Sequence, residues 1–237
     1  MFRPVFPIAG QQPFNDWFVP DTTQRVPLGQ IVIAEDPYWG GGEFMYVKST
    51  DALLKGSLSM YDELYNGVLL PSTAGQGFPF GVVMYPMASG VYGWLQITGF
   101  AVIKTNATIA ADTVMAVAAA GIAGTVANGK QLLNFRNRKA ATATKTVIAG
   151  TQSGNGILQT NGYDGFFVGM ALSGTGIPAS TVVAALDANG RTIYTGSAIG
   201  TLGDKNSTAT GSITLTGTYT GYGAAVINRP FAQGQAA

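Results

Sequence analysis

The sequence predicts an all-β protein. Its expected parts are a main β-barrel or sandwich domain, a second small antiparallel β-sandwich domain and an extended N-terminal arm. Three observations predict this. Short runs of β-branched and aromatic residues alternate with Gly, Pro, Asn and Asp along most of the chain. No stretch keeps capped apolar residues at helical spacing over about ten positions. And 33 of the 237 residues are Gly, which weaken helices and suit turns.

Residues 1–27 read as the arm. Pro4, Pro7, Pro13, Pro20 and Pro27 forbid a helix. Phe2, Phe6, Phe14, Trp17 and Phe18 lie between or beside them, and such aromatics want a groove to fill. A neighbouring molecule is favoured as that groove over the chain's own barrel.

Residues 28–142, rejoined by 221–237, read as the main domain. Leu28–Ala34 and Glu43–Lys48 are strands, joined through a loop whose glycines Gly40, Gly41 and Gly42 suit a tight turn. Ala52–Asp62 and Gly67–Pro71 follow. Phe80–Tyr85 and Val91–Thr98 are the most strand-like pieces. Phe100–Lys104, Thr113–Ala118 and Gln131–Arg136 complete the group. The run Met115–Ala123 could support a short helix, and Gly121 and Gly124 argue against a long one.

Residues 143–220 are rich in Thr, Gly and Ser and read as the second domain. Its strands are Thr146–Gly150, Gly156–Thr160, Gly165–Leu172, Thr181–Asp187, Thr192–Gly196 and Ser212–Tyr219. Asn189-Gly190 marks a hairpin turn. Gly223–Phe231 is a final strand that would return to the main domain and make the second domain an insertion.

Composition narrows the chemistry. The chain has no His and no Cys. That removes thiolate nucleophiles, imidazole bases, disulfides and the usual zinc ligands. Only 11% of residues are charged, against about 25% in an average domain. Glu35-Asp36 and Asp62-Glu63 are adjacent in sequence, so on a strand they would point to opposite faces, not across a cleft. Asp187-Ala-Asn189 lacks the downstream Glu of a calcium loop. Ser173-Gly174-Thr175-Gly176 and Gly75-Gln76-Gly77 lack the third Gly and helix of a phosphate loop. Ser57 near Lys55 carries no oxyanion-hole signature. No catalytic residue, cofactor or metal is therefore expected, and the chain is expected not to be an enzyme.

A net charge of +1 gives no general pull toward nucleic acid or an anionic membrane. One basic cluster stands out: Lys130, Arg136, Arg138, Lys139 and Lys145. Around Phe135 it is a weak match to a single-strand binding groove, and a docking patch for acidic protein surface is the better reading. The N-terminal prolines interrupt any secretory-signal core. The longest uncharged apolar run, Thr113–Ala127, is too short to span a bilayer. Neither a direct nucleic-acid nor a membrane partner is expected.

Several strings together resemble tailed-phage head decoration (capsid cement) proteins. They include Gly29–Tyr46, Tyr92–Gly99, Ala110–Thr113, Ala118–Gly121, Asn128–Asn134, Asp164–Met170, Ser173–Pro178 and Gly190–Thr192. The resemblance implies a β-rich structural virion protein, made in the host cytoplasm and carried on the outer capsid surface. It implies the major capsid protein and the chain itself, as a homotrimer, as partners. It transfers no catalytic residue. The expected capsid or inter-subunit contacts are Phe2, Phe6, Phe14, Trp17 and Phe18 in the arm, with Arg136, Arg138 and Lys139. The alternative is a receptor- or glycan-binding β module of a phage tail or cell surface, using Tyr38, Trp39 and the loops of the second domain.

Overall fold

The computed structural model describes residues 3–4, 20–36, 40–139, 142–147, 156–160, 166, 169–186, 192–198, 201–208, 212–218 and 221–232. Among these every regular element is a strand, so the protein is all-β. The strands begin with β1 (Arg3–Pro4), β2 (Ile31–Asp36), β3 (Gly40–Ser49), β4 (Leu58–Tyr61), β5 (Asn66–Leu69), β6 (Phe80–Val83), β7 (Tyr92–Gln96), β8 (Thr98–Lys104), β9 (Thr113–Ala119), β10 (Ile122–Thr125) and β11 (Gln131–Lys139). They continue with β12 (Thr142–Val147), β13 (Ile157–Gln159), β14 (Ala171–Ser173), β15 (Thr181–Leu186), β16 (Thr192–Gly196), β17 (Ile213–Thr218) and β18 (Tyr222–Ala232). The chain divides into two compact units, residues 1–139 with 221–237 and residues 140–220.

In the first unit, β3 is long enough to take several partners. It pairs β7 along one edge, while β2 and then β5 share the other. The pairings β5–β4, β4–β6 and β6–β7 close the set into a ring. Met45, Val47, Val83, Leu95 and Ile97 form one apolar cluster on it, joined by Leu53 and Met87 from the connections. Alternation sends Leu58, Phe80 and Val82 to the other side of β4 and β6. There they pack on the inner face of a five-stranded sheet, ordered β10-β9-β11-β18-β8. Phe80 meets Phe135 at 5.5 Å between ring centroids.

Glycine makes the junction of the two sheets possible. The Gly40–Gly42 run lies within β3, not in the turn that the sequence suggests. A Cβ at Gly42 would sit 2.8 Å from the Thr98 carbonyl oxygen, and one at Gly99 would sit 2.4 Å from that of Gly41. Side chains there would hold β3 and β8 apart. Buried Gln96 then fixes the bend between β7 and β8, its Nε2 donating to the carbonyls of Thr98 and Phe100 at 2.9 and 2.8 Å.

The Ala-rich stretch forms the hairpin β9–β10 instead of a helix. Met115, Val117 and Ala123 enter the core at strand spacing, and Gly121 takes the turn at φ +67°. Strand β18 lies between β11 and β8, so the chain leaves this unit at the end of β11 and re-enters beside it.

Among the described residues the second unit holds one antiparallel sheet of six strands, ordered β12-β17-β14-β15-β16-β13. Its buried residues include Leu158, Phe166, Met170, Leu172, Val183, Ile193, Ile213 and Leu215. The backbone register of β12 and β17 sets Thr142, Thr144 and Thr146 opposite Thr218, Thr216 and Thr214. Asn189-Gly190 lies outside the described residues, and the strands on either side of it, β15 and β16, pair antiparallel.

Candidate interaction surfaces

The residues just after the Pro- and aromatic-rich segment are tied to the first unit. Asp21 exchanges both backbone hydrogen bonds with Tyr92, at 2.8 and 2.9 Å. Its carboxylate accepts from the Tyr46 hydroxyl at 2.7 Å and pairs with Arg25 Nε at 2.7 Å. Tyr46 is buried against Trp94, and Val26 and Leu28 cover the same cluster. Burial, then the hydrogen bond to Asp21, pushes the Tyr46 hydroxyl well above its ordinary pKa. At the other end of the segment, Arg3 and Pro4 pair with Glu35 and Ala34 on the edge of β2. The stretch read as an arm therefore has residues 3–4 and 20–27 on its own unit. Phe2, Phe6, Phe14, Trp17 and Phe18 lie outside the described residues.

The basic cluster centres on β11. Alternation buries Phe135 and Asn137 and exposes Arg136 and Arg138. Asn137 is held from within, its Nδ2 donating to the carbonyls of Ile109 and Ala110 at 3.1 and 2.7 Å. Asp112, at φ +58°, organises both arginines. Its carbonyl accepts from Arg136 Nε at 2.8 Å, and its carboxylate meets Arg138 NH1 at 2.5 Å. The docking patch thus contains its own carboxylate. Lys139 ends β11, in register with Ala224, and its side chain lies outside the described residues. Register places Val114, Arg136, Val226 and Phe100 in one row across β9, β11, β18 and β8. Val114 and Val226 are exposed large hydrophobics.

The remaining chemical candidates resolve into structure or fall outside it. Among the described residues no group of three His, Cys, Asp or Glu could hold a metal ion. A Cβ at Gly174 would lie 2.7 Å from the Thr214 carbonyl oxygen, and Gly176 turns at φ +75°, so both glycines serve the turn after β14. Ser57 is buried in a turn, its N–H donating to the Leu54 carbonyl at 3.0 Å. Burial lowers the pKa of Lys55. Tyr38 and Trp39 lie outside the described residues. No helix among the described residues is long and apolar enough to cross a membrane.

Sequence reasoning missed Asp21 and Asp112. Asp21 follows Pro20, a weak turn signal, but nothing local tells which distant side chain either aspartate will meet. Comparison with known proteins found no matching protein-family model and no matching curated protein.

Proposed function

We propose that this chain is a structural virion protein that binds the outside of an icosahedral phage capsid, at junctions between major capsid proteins, and stabilises it. The observation that carries the reading is the rooting of the aromatic segment. Residues 3–4 pair with β2 and Asp21 pairs with β7, so the chain on both sides of the aromatic segment is held on the first unit. A segment anchored at both ends loses less entropy on docking than a free tail. A charge-poor surface repeated over a symmetric shell then gains avidity from many modest contacts. The chain also associates with itself in this reading, as a trimer.

The test is sedimentation with undecorated phage heads. Wild-type protein co-sediments in a fixed ratio to capsid subunits. The combined change of Phe6, Phe14, Trp17 and Phe18 to Ser keeps the root intact and lowers head binding at least tenfold. Substitution is used because truncation through residue 27 would also remove Asp21 and Arg25 from beneath Tyr46. Unchanged binding would sink the role given to the aromatics. Specific glycan binding with no head binding would favour the receptor-binding alternative.

A further inference from the structure

We propose that two surfaces of the first unit bind one another between copies: the β4–β5 turn of one copy seats on the β11 face of the next. This deepens the self-association included in the proposed function and names its contact.

The turn is built as a stiff knob. Asp62 Oδ1 accepts from the backbone N–H groups of Leu64 and Asn66 at 2.9 and 2.8 Å, and Oδ2 accepts from Asn66 Nδ2 at 2.9 Å. Tyr65 takes φ +60°, a conformation that costs a non-glycine residue energy. Its ring packs where a Cβ at Gly29 would lie only 2.2 Å away, so that side chain anchors the turn to the chain below it. Leu64 is left at the tip, 71% exposed, the most exposed large hydrophobic among the described residues. Asp62 and Glu63 flank it, and neither forms an ion pair among the described residues. The knob therefore offers an apolar tip with two negative charges.

The β11 face offers the complement. Val114, 45% exposed, and Val226, 36% exposed, stand on either side of Arg136 in the cross-strand row. Arg136 is positioned by the Asp112 backbone carbonyl and Arg138 by its carboxylate, so two guanidinium groups stand beside one carboxylate. The face keeps a net positive charge beside apolar side chains. An arginine already held in one orientation is the kind of group that anchors an interface. Leu64 would cover the valines while Glu63 meets Arg136. Because knob and face are different patches, the contact is heterologous and closes into a ring when the rotation allows. One leucine is an anchor within a larger contact, since stable interfaces bury about 1,200–2,000 Å².

The experiment is molar mass by light scattering across a concentration series, with circular dichroism on every sample. The wild type is an oligomer that dissociates as salt rises, because the pairing charges are screened. Leu64→Asp, Glu63→Arg and Arg136→Glu each keep the wild-type spectrum and weaken association at least tenfold. Glu63→Arg combined with Arg136→Glu restores association to within about threefold of wild type. Val226→Asp, on the face and outside both charge pairs, also weakens it. Unchanged association in Leu64→Asp and Val226→Asp, or no rescue in the double variant, overturns the proposal. A monomeric wild type that still coats heads overturns it too, and leaves head binding standing.

Discussion

The two units of this chain are held together in different ways. The first stacks a closed ring of strands against a five-stranded sheet, and large side chains such as Leu58, Phe80, Phe135 and Ile227 meet between them. The second, among the described residues, is one sheet with Phe166 lying against Gly217. Both are all-β with few charges. In the first, large side chains fill the space between two sheets, whereas in the second a ring occupies the place where a side chain at Gly217 would stand. Deleting volume is therefore the direct test of the first unit, and adding it at Gly217 the direct test of the second.

The largest effect expected is from Phe80→Ala. Phe80 is fully buried and packs on Phe135, so the loss should be about 3–5 kcal/mol in denaturant unfolding. A cost below about 1 kcal/mol would mean that the two faces are not packed as described.

Next is Gly217→Ala in the second unit. Its Cβ would lie 2.5 Å from the Phe166 ring, and overpacking of this kind costs about 1–3 kcal/mol. Phe166→Leu in the same chain should recover part of that loss. A neutral Gly217→Ala would remove the contrast between the units.

Smallest, and most specific, is Tyr46→Phe. It deletes the hydroxyl between Asp21 and Arg25 and should cost about 1 kcal/mol near neutral pH. The pH dependence has a definite sign. The folded-state pKa of Tyr46 is raised, so its contribution is complete below the unfolded value of about 10. The contribution falls as pH rises beyond that value, because the unfolded chain then loses the proton more readily. Unfolding measured from pH 7 to 11 should show Tyr46→Phe converging on wild type. A gap that stays constant would show that the hydroxyl acts by packing alone.

Much of the fold was legible from local signals. Strand Thr192–Gly196 matches its sequence run at both ends, and Phe80, the strong β-branched runs and the final strand are all read at their places. Those segments carry their own alternation and punctuation. The misses arise where distant groups decide. Strand β10 is short and glycine-containing, and it exists because Ala123 completes a core made by residues far away. The Gly40–Gly42 run looked like a turn because only the folded chain reveals that β8 crosses there. The strands expected from Leu28 and from Ala52 begin only at Ile31 and Leu58, since Gly29 and Gly56 turn at φ +77°.

The interaction surfaces divide along the same line. The exposure of Arg136 and Arg138 follows from strand alternation about Phe135 and Asn137 and could be read directly. Their capture by Asp112 spans more than twenty positions and could not. Leu64 hid for another reason. One leucine beside two carboxylates looks ordinary until the bonds to Asp62 and the φ of Tyr65 show that the turn is rigid.

The central claim is that this chain coats a phage head, and icosahedrally averaged electron cryomicroscopy of heads mixed with the protein tests it most directly. The account predicts added density at defined lattice positions between major capsid proteins, with the residue 3–21 side of the first unit toward the shell. Heads that stay bare at saturating protein, in a preparation whose protein is folded, would contradict it.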